Sequence, residues 1–163
     1  FYNRRVQEIK AGRETGTVET DGHVRRLGDI AVKDAMNPKS EPIRVDMGLD
    51  QIKEMMFDRG FNSFPVVGAS GRLKGILSMS DCKSAFQEGA RSLTAGDIAT
   101  SDVITVTDHD SLLSALAKIA AGDFAILPVV ERNRPDKLVG VISRSDIMTA
   151  FNDAILKRGP EPV

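Results

Sequence analysis

One pattern is written twice along this chain, and a pattern that returns whole predicts two copies of one folded unit. Between Val32 and Phe86 the order is Asp34-Ala35-Met36, a short extended run, a periodic apolar stretch, Phe64-Pro65-Val66-Val67, a turn, then Leu73-Lys74-Gly75-Ile76-Leu77-Ser78-Met79-Ser80-Asp81. Between Ala95 and Phe151 it returns as Asp97-Ile98-Ala99, the same spacing, Leu127-Pro128-Val129-Val130, a turn, then Leu138-Val139-Gly140-Val141-Ile142-Ser143-Arg144-Ser145-Asp146. Pro65 and Pro128 stand 63 residues apart, while Asp81 and Asp146 stand 65 apart, so two residues were added in the turn between them. An insertion confined to a turn, with both flanks kept, is what duplication of a folded unit leaves behind. The expected product is an intramolecular pseudo-dimer.

Periodicity names the elements inside each copy. Leu49, Ile52 and Met56 recur at helical spacing, and Gly60 follows where a helix can stop in a left-handed conformation. Phe64–Val67 and Leu73–Leu77 are short apolar runs around Gly68-Ala69-Ser70-Gly71, which predicts a hairpin. In the second copy Leu112, Leu116 and Ile119 share a helix face, Gly122 is the stop, and the hairpin turn is the longer Arg132-Asn133-Arg134-Pro135-Asp136. Proline has no amide hydrogen to give a central strand, so Pro65 and Pro128 are predicted at strand starts or edges. Ahead of the repeats, Phe1 to Lys10 has a weak helical spacing that ends at Gly12, and Arg13 to Gly22 reads as a polar connector. The chain therefore divides into an N-terminal helix and connector (1–29), a first repeat (30–88), a linker (89–94), a second repeat (95–156) and a tail (157–163).

With 163 residues, 41% of them apolar and 28% charged, the chain has the composition of an ordinary soluble domain, and each repeat alone would be marginal. A formal net charge of −1 removes the broad positive field on which nonspecific nucleic-acid binding depends. Cys82 has no cysteine partner within the chain, and with only His23 and His109 there is no soft-ligand cluster for zinc. A reducing, cytoplasmic compartment is expected, and no metal site or catalytic residue. No apolar run reaches the roughly 18 residues of a membrane helix. The first residue is Phe1, which predicts a piece of a longer protein with an effector domain before it.

The chemistry collects where each hairpin ends. Ser78 and Ser143 close an apolar strand, and Ser80-Asp81 and Ser145-Asp146 open the next helix, the second serine being placed to cap it. Such a junction gathers hydroxyls, a carboxylate and unpaired backbone amides. The carboxylate suits a vicinal diol such as ribose, and the amides attract a phosphate. The plainer reading is that each aspartate favours the positive end of its helix, an effect of roughly 0.3 to 1 kcal/mol. Duplication copies caps as faithfully as sites.

The order strand, helix, Pro-Val-Val strand, turn, Gly-aliphatic-aliphatic-Ser strand, x-x-Asp and helix resembles the cystathionine-β-synthase (CBS) domain, and two in tandem resemble the Bateman module. The resemblance covers about residues 30–156. It implies an α/β (α+β) fold in which two β-α-β-β-α repeats pack about a pseudo-twofold axis with two clefts between them. It also implies a regulatory module, not an enzyme, which senses ATP, ADP, AMP or a related adenosyl ligand such as S-adenosylmethionine and needs no obligatory cofactor. Carried across, its ribose-binding aspartates fall on Asp81 and Asp146, with Ser78 and Ser143 as hydroxyl partners. The base is expected against the segments ending at Ile43 and Ile104, and Arg144 and Lys83 are the nearest cations for phosphate. Met79 stands where the second copy has Arg144, so the Arg144 cleft is expected to prefer the more charged nucleotide. The implied partners are an adenosyl small molecule, a second copy in a homodimer, and a membrane or enzyme domain attached ahead of residue 1. Phe1 to Gly12 loosely resembles the stretch leading into the cytosolic CBS pair of CLC-type chloride channels, which makes a chloride channel the expected host. The alternatives are the regulatory segment of a metabolic enzyme and a structural dimerisation module with empty clefts.

Overall fold

The computed structural model describes residues 22–59 and 62–158. The helix and most of the connector read before residue 22, and the Gly60 helix stop, lie outside the described residues.

Helix α1 (Gly22–Asp29) leads through a 3-10 turn at Val32–Asp34 into the first repeat, which runs β1 (Ile43–Arg44), α2 (Leu49–Arg59), β2 (Ser63–Val67), β3 (Leu73–Ser78) and α3 (Met79–Gln87). The second repeat is preceded by α4 (Ala95–Ile98) and runs β4 (Val106–Thr107), α5 (Leu112–Gly122), β5 (Ile126–Glu131), β6 (Arg134–Ser143) and α6 (Arg144–Arg158). Each repeat is a β-α-β-β-α unit with its own three-stranded sheet, ordered β1-β2-β3 and β4-β5-β6, in which the first two strands are parallel and the last two antiparallel. Ile43 lies opposite Val66 and Val106 opposite Val129, so the spacing of 63 holds through both sheets.

The prolines sit inside the middle strands β2 and β5, and the register explains how. β1 reaches only Val66 and Val67, and β4 only Val129 and Val130. Pro65 and Pro128 thus face a strand on one side only, where a missing donor breaks no two-sided ladder. The second hairpin departs from expectation. Its turn is the two-residue Arg132-Asn133, and Arg134–Asp136 belong to β6, where Arg134 (2.9 Å) and Lys137 (3.1 Å) reach the Glu131 carboxylate. The added residues lengthened strands instead of loosening the turn.

Leu49, Ile52 and Met56 of α2 pack with Ile43, Phe64, Val66, Leu77 and Cys82 in one core, and Leu112 and Ile119 of α5 pack with Val106, Leu127, Val129, Ile142 and Ile147 in the other. The leading segments are exchanged between these cores. Val32 precedes the first sheet yet is fully buried in the second core, and Ala95 precedes the second sheet yet is fully buried in the first. Backbone pairs seal the exchange: Asn37 and Val141 donate to each other's carbonyls (2.8 and 3.1 Å), as do Ile76 and Thr100 (2.9 Å each). Gly75 and Gly140 make the approach possible, since a Cβ on either would lie 2.7 Å from the Thr100 or Asn37 carbonyl oxygen.

The stop of α5 is also corrected. The left-handed residue is Asp123 (φ 50°), and Gly122 is the last helical residue, glycine because a Cβ there would overlap the ring of Phe124. Aspartate is one of the few residues besides glycine that enters this region at small cost.

Candidate functional site

Each sheet delivers its last strand straight into a helix. Ser78 is the N-cap of α3: its Oγ accepts from the Asp81 amide at 3.3 Å, while Asp81 Oδ2 accepts from the Ser78 amide at 2.8 Å and from the Ser78 hydroxyl at 2.7 Å. Ser143 and Asp146 repeat this arrangement at α6, with 3.2, 2.8 and 2.8 Å. The cap is therefore the first serine of each motif, not the second. The ladder still pairs Ser78 with Ser63 and Ser143 with Ile126, so the helix begins one residue later and the acid three positions on closes the box with that serine. Ser80, Arg144 and Ser145 are exposed in the first helical turn.

A reciprocal cap is not in itself a ligand signature. Thr94 and Asp97 make the same box at α4, and the bonds from Thr94 hold the exposed Asp97 carboxyl below its usual range. What sets Asp81 apart is its position on the wall of a cavity of about 650 Å³. One side comes from the first repeat (Asn62, Ser63, Ser78, Ser80, Asp81, Lys83, Ser84) and the other from the second (Asp123, Phe124, Ile126). With Oδ2 occupied by the cap, Asp81 Oδ1 accepts from no described residue. Its two lone pairs suffice for both hydroxyls of a diol. A smaller cavity of about 130 Å³ shares Ser63 and Ile126 with the first, is walled by Phe64, Pro65 and Val141, and carries the Arg59–Glu41 ion pair (2.6 Å) on its rim.

Ile43 and Ile104 lie elsewhere than the base-flanking reading expects. Ile43 is fully buried on β1 in the first core, and Ile104, 6% exposed, packs in the second. By the spacing of the prolines the counterpart of Ile104 is Glu41, not Ile43, so the two copies carry unlike residues at this position. Met79 packs against the first core where the second copy exposes Arg144. The cavity residues Asn62, Ser63, Ser84, Asp123 and Phe124 escaped sequence reading. Their only signal was a place just before β2 and β5 or within the first turns of α3.

The other candidates are structural. His109 precedes the Ser111 cap of α5 and bonds through Nδ1 to Asp108 Oδ1 (2.9 Å), which lowers the Asp108 carboxyl. Cys82 is 2% exposed; burial, followed by the charge of Asp81, pushes its thiol from 9.0 up to about 11. A thiol that holds its proton longer in the fold than in the unfolded chain contributes stability that is full below pH 9 and is lost as the pH rises through about 11. Thermal melts should therefore fall more steeply between pH 9 and 11 for the wild-type chain than for Cys82→Ala.

Among the described residues no helix is long and apolar enough to cross a membrane. A curated relative named homoserine O-acetyltransferase, from Methanococcoides burtonii, is 31% identical over 122 residues, covering 74% of this chain and 24% of its own. The chain spans about a quarter of the length of the curated relatives it matches. Among solved structures, AcuB from Vibrio cholerae superposes with a TM-score of 0.71 at 28% identity, over 82% of this chain and 98% of that one. CBSX2 of Arabidopsis thaliana in complex with AMP superposes at 0.67 and 22% identity, over 76% and 97%. The CBS domain pair of protein MJ0100 in complex with 5′-methylthioadenosine and S-adenosyl-L-methionine does so at 0.62 and 23% identity, over 77% and 98%. The CBS domain family matches residues 32–88 and again 95–153, more than half of the sequence. With the doubled sheet, the exchanged leading segments and this double match, the chain is a tandem pair of CBS domains and belongs to that family.

Proposed function

We propose that this CBS pair is a regulatory module that binds an adenosyl compound between its repeats and passes the occupancy to the protein of which it is part. The observation that carries the reading is the Ser78–Asp81 box on the wall of a cavity built from both repeats, with one carboxylate oxygen left over for ribose. Neighbours of the same fold support it, having been crystallised with AMP and with 5′-methylthioadenosine and S-adenosylmethionine. Asp81 is the proposed ribose acceptor, with Ser78 and Ser80 beside it; Asp146, Ser143, Arg144 and Ser145 are proposed as the matching half-site, Arg144 favouring the more charged ligand. A ligand touching both halves biases their relative tilt whenever it binds one tilt better than another.

The host is proposed to be a metabolic enzyme in place of a chloride channel. Most of the curated relatives that match this pair within longer chains bear enzyme names, whereas the channel reading rests on residues 1–12, outside the described part. A cytoplasmic setting is supported by the buried, unpaired Cys82. Exposed Phe57 (86%) on α2, with Met148 (44%) and Leu156 (78%) on α6, offers apolar surface that a second copy would cover in the proposed homodimer.

The test is thermal. A ligand that binds only the folded state, at about a hundred times its dissociation constant, contributes roughly 2.7 kcal/mol. For a chain of this size that raises Tm by roughly 5 to 11 °C. AMP, ATP, 5′-methylthioadenosine and S-adenosylmethionine should be scanned against wild type, Asp81→Ala and Asp146→Ala. A shift in wild type that weakens in either variant is the expected result. No shift with any of the four would leave a structural dimerisation module as the better reading.

A further inference from the structure

The repeat carries over from the strands to the cavities. Ile76 stands two residues ahead of the capping Ser78 and lines the large cavity with Asp81, while Val141 stands two residues ahead of Ser143 and lines the small one. Ile76 and Val141 are 65 residues apart, the same spacing as Asp81 and Asp146. By that correspondence the small cavity belongs with Asp146: it stands beside the strand that runs into the Ser143–Asp146 box, and the first repeat closes it with Phe64 and Pro65. With Ile126 these side chains make an apolar slot suited to a flat base.

The rim of this slot is where the two copies differ. Arg59 Nη2 donates to Glu41 Oε2 at 2.6 Å. By the proline spacing of 63 the same positions are Gly122 and Ile104 in the second repeat, neither of which ionises. The two side chains are 51% and 59% exposed, and an ion pair so exposed adds little to stability. What the pair does is set an acceptor and donors side by side at the mouth of the slot. Glu41 Oε1 accepts from no described residue, and a guanidinium keeps further N–H donors after one bond to a carboxylate. Lys39 is the other charged group on this wall, and an ammonium only donates, so Glu41 is the anionic acceptor there. Adenine presents an amino donor next to a ring-nitrogen acceptor, the complement of such a pair.

We infer that Glu41 and Arg59 read the base in the cleft that ends at Asp146, Glu41 accepting from the exocyclic amino group of adenine and Arg59 donating to the ring nitrogen beside it. The assignment rests on the proposed adenosyl-binding function and names the specificity residues at one of its two half-sites. A base without the amino group leaves the carboxylate that faces it unpaired, which is how a hydrogen-bonding site rejects a closely similar compound. The second repeat, with Ile104 and Gly122 at these positions, offers no such reader to the other cleft.

Titration calorimetry with AMP and with purine riboside 5′-monophosphate, which is AMP without its amino group, tests it in Asp81→Ala, so that the heat reads the cleft at Asp146. Expected is AMP bound about tenfold more tightly than the analogue, the factor that a hydrogen bond to a half-exposed carboxylate supplies. Adding Glu41→Ile, the residue of the second repeat, should lower AMP to the level of the analogue, while Glu41→Gln, which keeps a neutral acceptor, should preserve a preference of about threefold. Arg59→Gln should weaken both compounds alike, since both carry the ring nitrogen. In the otherwise wild-type chain Glu41→Ile should weaken one of two binding events. Both positions are exposed, so Tm should stay within about 3 °C of the parent in each variant. A preference that is absent with Glu41 in place, or that survives Glu41→Ile, overturns the inference and leaves adenosyl binding standing. So does AMP binding to wild type that vanishes in Asp81→Ala, since the cleft at Asp146 then takes no nucleotide. Wild type that binds neither compound overturns the inference as well, and if 5′-methylthioadenosine and S-adenosylmethionine also fail to bind, the adenosyl reading falls with it.

Discussion

Replacing Gly75 or Gly140 by alanine should each lower the stability of the chain by roughly 1 to 3 kcal/mol, the usual cost of forcing an extra carbon into a closed site. The reason lies in what the new Cβ would meet: a backbone carbonyl oxygen at 2.7 Å, from Thr100 in one case and Asn37 in the other, with no flexible side chain to give way. Relief requires the leading segment of one repeat to move off the last strand of the other, which breaks the Ile76–Thr100 or Asn37–Val141 pair. Gly48→Ala is the control, since nothing lies within 4 Å of the Cβ it would gain. Urea denaturation should give the two test variants lower midpoints with little change in slope, and the control should stay within about 0.5 kcal/mol. Hydrogen exchange should report lost protection at the amides of the broken pair. If Gly75→Ala and Gly140→Ala proved as mild as Gly48→Ala, the exchanged segments would be loosely held, and a ligand could not use them to couple the halves.

What the sequence revealed and what it hid follow from the range of the interactions involved. The repeat, the helices carrying Leu49, Ile52 and Met56 or Leu112 and Ile119, and the hairpins were legible because each depends on neighbours within a few residues, and the duplication supplied every pattern twice. The exchange of Val32 and Ala95 between cores was not, because both copies offer the same apolar face and nothing local says which sheet a leading segment will join. The capping serine was misread by two positions for a related reason. Ser78 and Ser80 have equal capping chemistry, and the choice between them is made by how far β3 stays paired with β2. The base-flanking segments expected from the resemblance end at Ile43 and Ile104, whereas the repeat spacing of 63, held by the strand register, sets Ile43 against Val106 and Ile104 against Glu41. Gly122 looked like a helix stop on propensity, but the ring of Phe124 claimed the space beside it and moved the left-handed residue to Asp123. The half of the cavity contributed by the second repeat was invisible for this reason, since its residues are chosen by packing and not by a motif.

Val32→Asp carries the largest expected effect, and its location is the informative part. By sequence Val32 opens the first repeat, so a disturbance there would be expected to loosen the first sheet. In the fold it is fully buried among Leu27, Leu112, Ile119 and Leu127, and the turn that holds it is bonded to the second repeat, the Val32 amide donating to the Asp110 carbonyl (2.8 Å) and the Lys33 amide to the Asp108 carbonyl (2.9 Å). A carboxylate placed there has no partner and no water, a situation that costs roughly 3 to 5 kcal/mol. Hydrogen exchange under native conditions should therefore accelerate first in α5 and β5, while α2 and β2 keep their protection until global unfolding. Loosening of α2 and β2 ahead of α5 and β5 would mean that Val32 belongs with the first core after all. Because the exchanged segments join each core to the sheet across the cleft, a change of tilt between the repeats has to be shared by both cores. Under the proposed function, that sharing is what would let a ligand at the Asp81 cavity act on the whole pair.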